Sequence, residues 1–153
     1  MYTGNISPWA IDDTLDELVS LAWTTFIGSE VVRVDAREIG PQVVCASISI
    51  SGPSGATVLF FADPALARWA TSIVLDAPAA DLGDSDIHDV LGEIVNIIGG
   101  NVKGVVSDGE QEWTLSLPVV SNAMQSAPGS RPAAMVCFLA EGGTMGCQIL
   151  EHC

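Results

Sequence analysis

Apolar and polar positions recur along this chain with two periods, and the changes of period mark out its elements. In residues 84–105, DSDIHDVLGEIVNIIGGNVKGV, apolar side chains return every three or four positions, at Ile87, Val90, Leu91, Ile94, Val95, Ile97, Ile98 and Val102. That period predicts one long helix whose apolar side must pack on a sheet or another helix. At about 100° of turn per residue, Asp89, Glu93, Asn96, Gly100 and Lys103 share an arc of roughly 80° on the other side. They form a narrow polar stripe left to solvent. A second helix pattern covers residues 8–26, through Leu15, Leu18, Val19, Ala22, Trp23 and Phe26, with Ser7-Pro8 as its start and Gly28 as its stop. A third, shorter one covers 64–75, where Asp63-Pro64 caps a stripe of Leu66, Trp69, Ala70, Ile73 and Val74.

Between the helices the period drops to two, and β-branched residues gather. Residues 30–38, 43–51, 56–62, 112–120, 133–140 and 144–151 read as strands. Gly40-Pro41 marks a turn between the first two strands, SGPSG joins the next, and Glu141-Gly142-Gly143 closes a final hairpin. Trp113, Leu115 and Leu117 fall on one face of the 112–120 strand, which Pro118 confines to an edge or a bend. Residues 77–83 form a short linker, Ser107-Asp108-Gly109 a turn, and 121–131 the least regular stretch. The predicted fold class is α+β: a six-stranded, mostly antiparallel sheet with two long helices and one shorter helix packed on it.

Length adds that 153 residues make one domain, over residues 1–153, large enough to bury a real core. The apolar share of 48% and mean hydropathy of +0.41 point to a sheet buried on one full face or to an oligomer surface. No apolar run approaches the roughly 18 residues of a membrane span. MYTGNISPW lacks a basic stretch followed by an apolar one, so a cytoplasmic protein is expected. Nineteen acidic against five basic residues give a net charge of -14, a field that repels nucleic acid and anionic membrane surfaces. A phosphorylated partner would have to be held by local geometry and its own cations, in a transient complex. Cys45, Cys137, Cys147 and Cys153 show no zinc-type spacing, and buried thiols in a reducing compartment are the expectation. The two histidines, His88 and His152, lie far apart, and no G-x-S-x-G nucleophile elbow is present.

The long helix holds the candidate chemistry. Glu93 and Asn96, three positions apart, set a carboxylate beside an amide. Any amphipathic helix carries polar residues at such spacings, so the pair alone identifies nothing. Gly99 and Gly100 each cost about 1 kcal/mol relative to Ala in a helix interior, and close approach of a backbone or a docking partner would offset that. The longer string is more specific. Asp89-x-x-x-Glu93-x-x-Asn96, continued by Gly99-Gly100-Asn101-Val102-Lys103, resembles the signature helix of the CheC/CheX family of chemotaxis phosphatases. That family's pattern is an acid or Ser, Glu four later, Asn three after that, and a Pro beyond. Pro118 is the counterpart here, one residue nearer than usual. Asp13, Glu17 and Ser20 on the first helix repeat the spacing with Ser in place of Asn. The family is built on an internal pseudo-repeat, so the resemblance implies a retained site on the long helix and a lost one on the first.

The resemblance further implies a CheC-like fold and hydrolysis of the aspartyl phosphate on a CheY-type receiver. Glu93 would pair with the receiver's active-site lysine and Asn96 would orient the attacking water, while Asp89, Gly100 and Lys103 would meet the partner. No cofactor or metal of the chain's own is implied; a divalent metal, Mg, is expected on the receiver. Homodimerisation is expected from the apolar content and the edge strand near Pro118, and dimers through the sheet occur in the family. Two other classes stand beside this: a non-catalytic module docking on a response regulator or signalling partner through the same helix, and an unrelated small-molecule enzyme or structural dimer module.

Overall fold

A computed structural model describes residues 7–153 apart from 108 and 110. In chain order it contains α1 (Asp12–Phe26), β1 (Val32–Val34), β2 (Val44–Ser51), β3 (Gly55–Ala62), α2 (Pro64–Leu75), α3 (Asp84–Val106), β4 (Thr114–Leu115), β5 (Val119–Ser121), β6 (Ser130–Ala140) and β7 (Gly143–His152). Every strand pair is antiparallel. The order across the sheet is β1-β6-β7-β3-β2-β4, with β5 also paired to β2. The α+β class holds, with seven strands instead of six. Pro118 cannot donate to a ladder and splits the expected 112–120 strand in two, yet both pieces lie along the same edge of β2, through Ile50 opposite Leu115 and Ala46 opposite Val120. Six positions across the sheet are filled.

The topology carries an internal dyad. Each half is a helix, an edge strand and a hairpin: α1, β1 and β2–β3, then α3, β4/β5 and β6–β7. Each half lends its edge strand to the other, because β1 pairs with β6 while β4 and β5 pair with β2. Gly40-Pro41 therefore does not join neighbours: β1 and β2 sit toward opposite edges. The 30–38 strand is also shorter than expected. Asp35 accepts a hydrogen bond from Arg37 N at 3.0 Å and starts a 3-10 turn over Ala36–Glu38, which ends the pairing at Val34.

Helices cover one face of the sheet. Val44, Ala46, Ile48 and Ile50 alternate inward on β2 with Val58 and Phe60 on β3, and they pack against Ile87, Leu91, Ile94, Val95 and Ile98 of α3. The expected apolar side of α3 is buried, apart from half-buried Ile97. α2 starts as expected, with Asp63 accepting from Ala65 N at 2.8 Å ahead of Pro64. Its buried side is centred on Leu66, Ala67, Ala70 and Thr71, however, and Ile73 is exposed. Thr71 tolerates burial because its hydroxyl donates to Ala67 O at 2.7 Å.

α1 begins at Asp12, not at Pro8. Trp9 is fully buried, donates from its indole to Ser54 Oγ at 3.2 Å and meets Trp113 edge-on. Seating that ring against the β2–β3 turn holds residues 7–10 in a separate turn, with Ser7 accepting from Trp9 and Ala10. The β6–β7 hairpin turns through Glu141 and Gly142, both at positive φ (46° and 79°), as a two-residue turn matching the strand twist requires. Cys45, Cys137 and Cys147 are buried free thiols and Cys153 is exposed; burial raises the pKa of each buried thiol. The turn expected at Ser107-Asp108-Gly109 includes Asp108, outside the described residues. Among those described, no helix is long and apolar enough to cross a membrane.

Candidate functional site

α3 sits with its buried side on β2 and its polar stripe outward, so Asp89, Glu93 and Asn96 are all exposed. Glu93 and Asn96 stand one turn apart on the same side. Among the described residues neither is held by an ion pair or a side-chain hydrogen bond from the rest of the chain. Beside them runs an open groove of about 480 Å³, lined by His88, Asp89, Gly92, Glu93, Asn96, Leu117, Pro118 and Val120. One wall is the helix; the other is the segment in which β4 gives way to β5. Gly100 and Lys103 extend the stripe past the groove, half-exposed, so Asp89 to Lys103 spans about 21 Å of helix surface. The structure thus brings Asp89, Glu93 and Asn96 to one groove and leaves Gly100 and Lys103 beyond its lining.

Gly92, buried on the helix flank, lines the groove without a side chain. A β-carbon there would lie 3.5 Å from Pro118 Cβ, an ordinary contact, and any longer side chain would fill the space before Glu93. Sequence reading reached Pro118 through the family pattern but not Gly92, Leu117, His88 or Val120. Gly92, directly preceding Glu93 in a helix interior, was the available signal. His88 is tied down, its Nε2 lying 2.9 Å from Asn122 Oδ1.

The dyad explains why the same spacing on α1 brings Glu17 and Ser20 to no such groove; the open space at the start of α1 is lined by Asp13 but by neither of them. The shift along the chain that carries Glu17 to Glu93 also carries Asp16 to Gly92. Where α3 has an open flank, α1 has a carboxylate ion-paired to Arg33 of β1, with Ser20 Oγ 3.5 Å from it. Glu17 and Asp13 are exposed, but the place of the groove is taken by a salt bridge.

The two adjacent glycines have different causes. A β-carbon on Gly99 would come within 2.7 Å of Ile48 Cγ2, a stiff branch in the core, so this glycine lets the helix lie close on β2. On Gly100 the nearest atom would be Leu115 Cδ1 at 4.0 Å. Nothing among the described residues requires glycine there. Gly99→Ala is expected to lower stability by about 1 kcal/mol, since overpacking at about 1–3 kcal/mol outweighs the gain in helix propensity. Gly100→Ala is expected to raise it by up to about 1 kcal/mol. Thermal or denaturant unfolding of the two variants separates them; equal losses would contradict the assignment.

A family model described as Chemotaxis phosphatase CheX matches residues 44–138, more than half of the chain. The chain belongs to the CheX family. A search of curated proteins by sequence gave no match. Among solved structures, the chemotaxis protein CheX from Vibrio vulnificus superposes with a TM-score of 0.76 at 15% identity, covering 98% of this chain and 100% of that one. CheX from Borrelia burgdorferi, solved in a complex with CheY, BeF3 and Mg, gives a TM-score of 0.74 at 16% identity, covering 97% and 99%. A chemotactic CheC-like protein from Shewanella oneidensis gives 0.71 at 15%, covering 95% and 100%. At these identities the likeness shows the shared CheC-like fold. The matched residues 44–138 include all of α3 and the Pro118 segment.

Proposed function

We propose that this CheX-family chain hydrolyses the aspartyl phosphate of a phosphorylated CheY-type response regulator, with Glu93 and Asn96 as its working side chains. One observation carries the reading: the carboxylate and the amide stand side by side on the outer surface of a long helix, unengaged by the described residues of their own chain, at the edge of a groove lined by Gly92 and Pro118. A family member crystallised with CheY supports the choice of partner.

In this reading α3 enters the receiver's phosphorylated pocket along the stripe. Glu93 meets the receiver's active-site lysine in a charge-assisted contact that fixes the helix in register. Asn96 reaches past it toward the phosphoryl group. An amide offers both donor and acceptor, so it can hold a water in line with the scissile P–O bond without acting as a strong base. The water oxygen attacks phosphorus, the bond to the aspartyl oxygen breaks, and its electron pair returns to the aspartate carboxylate. The products are inorganic phosphate and the unmodified receiver, with the water's proton passing to phosphate and solvent. The divalent metal belongs to the receiver, where it neutralises charge on the phosphoryl oxygens.

The test is a time course of phosphate release from CheY-type receivers of the same organism, with Mg present, with and without the purified protein. Catalytic acceleration at substoichiometric protein supports the reading. Binding to the phosphorylated receiver with no change in its decay would assign the protein to the non-catalytic docking class instead.

A further inference from the structure

Alternation groups Trp113, Leu115 and Leu117 on one strand face, but the structure separates them: Trp113 and Leu115 are half-buried and Leu117 is turned out. Leu117 is 86% exposed, more than any other large apolar side chain among the described residues. The backbone on either side of it is fixed. Just before it, Ser116 N donates to Ser49 O at 2.9 Å, and Ser116 Oγ accepts from Ser49 N at 2.8 Å. Just after it, Pro118 lies against the α3 flank at Gly92, and Val119 to Ser121 rejoin the sheet beside β2. Leu117 is thus an apolar side chain held in water by a braced backbone, unable to fold back into the core by local adjustment.

Its place is specific, for it lines the same groove as Glu93 and Asn96 on the wall facing them. A protein that closes over Asn96 deeply enough to bring a phosphoryl group to it must also cover the opposite wall. We propose that Leu117 is the apolar anchor by which the phosphorylated receiver is held, packing against an apolar part of the receiver's surface next to its phosphorylation pocket. The inference rests on the phosphatase reading for its partner. It adds to that reading a source of affinity that an acidic chain of net charge -14 lacks in long-range attraction to an acidic pocket. Preorganisation adds to the effect, because little loop freedom is lost when an anchor on a braced backbone is covered. Leu117 acts in holding the receiver and touches no reacting atom.

The experiment uses the whole protein and two readouts. The first is steady-state dephosphorylation of the phosphorylated receiver. The second is titration against the receiver loaded with BeF3 and Mg, in wild-type protein and in the Asn96→Ala background. Full burial of a leucine corresponds to about tenfold or more in affinity. Leu117→Ser is therefore expected to raise KM and Kd by about tenfold or more with kcat within about twofold, and Leu117→Met to restore both. Leu139→Thr, on the sheet face away from the helices, is expected to change neither. Unchanged KM and Kd in Leu117→Ser would overturn the anchor and leave the phosphatase reading standing. A fall in kcat alone would also overturn it, since that marks a disturbed site and not a lost contact. If wild-type protein binds the receiver without accelerating decay, the phosphatase reading fails and the Kd ratio by itself decides for or against the anchor.

Discussion

Asn96→Ala is expected to return the receiver's phosphate loss to the rate the receiver shows alone, a fall of about a hundredfold or more in the protein-dependent rate. The size follows from what Asn96 is asked to do. The acyl phosphate is already labile and the receiver supplies metal and lysine, so placing the water is the main contribution left to this chain. The fold should be unaffected, because Asn96 is exposed and alanine is the better helix former. Unfolding midpoints at or slightly above wild type would confirm that the loss is chemical. Asn96→Asp should fail as well, since a carboxylate cannot donate and repels the phosphoryl oxygens. Time courses of phosphate release check both variants, and retained acceleration in either would remove Asn96 from the mechanism.

Glu93→Ala is the second large effect, and it should fall on KM. Loss of a hydrogen bond to a charged partner is worth about 1.5–3 kcal/mol, so affinity for the phosphorylated receiver is expected to drop roughly ten- to hundredfold. Asp89→Ala, one turn earlier on the groove's edge, is expected to change it less than about fivefold, as exposed pairs contribute about 0–1 kcal/mol. Added salt should weaken wild-type binding and narrow the gap between wild type and Glu93→Ala, because screening removes the same interaction. Titration of each variant at two ionic strengths measures this. A Glu93→Ala protein with wild-type affinity at low salt would show that the carboxylate meets no cation.

These two residues were legible in the sequence because α3 is long and strictly periodic. A segment with that many apolar positions in phase fixes its buried side, and the outward stripe follows from it. The groove beside the stripe was not legible, since it forms only where Gly92 and Pro118, from separate elements, come together. Alternation groups Leu117 with Trp113 and Leu115 but cannot say that it parts from them, because alternation presumes an unbroken strand and Pro118 breaks it one residue later. The Ser7-Pro8 helix start gave way to burial of Trp9, a contact with the distant β2–β3 turn that no local cap signal reports. Gly40-Pro41 lies where the chain bends between β1 and β2, but the dipeptide cannot say which strands meet across it. Pairing of β1 with β6 is set by the dyad between halves. Likewise Gly99 and Gly100 look alike in sequence, and only the position of Ile48 tells them apart.

The central claim is that Asn96 itself enters the receiver's phosphorylated pocket. Side-chain amide protons of asparagine give their own signals in nitrogen-proton correlation spectra, so this can be watched at the atom concerned. On addition of unlabelled receiver loaded with BeF3 and Mg, the Asn96 side-chain pair is expected to shift or broaden in step with receiver concentration, along with backbone signals of residues 89–103 and 115–118, and to respond weakly to receiver without BeF3. An Asn96 pair that stays in place while changes gather on α1 or on the sheet face away from the helices would contradict the account.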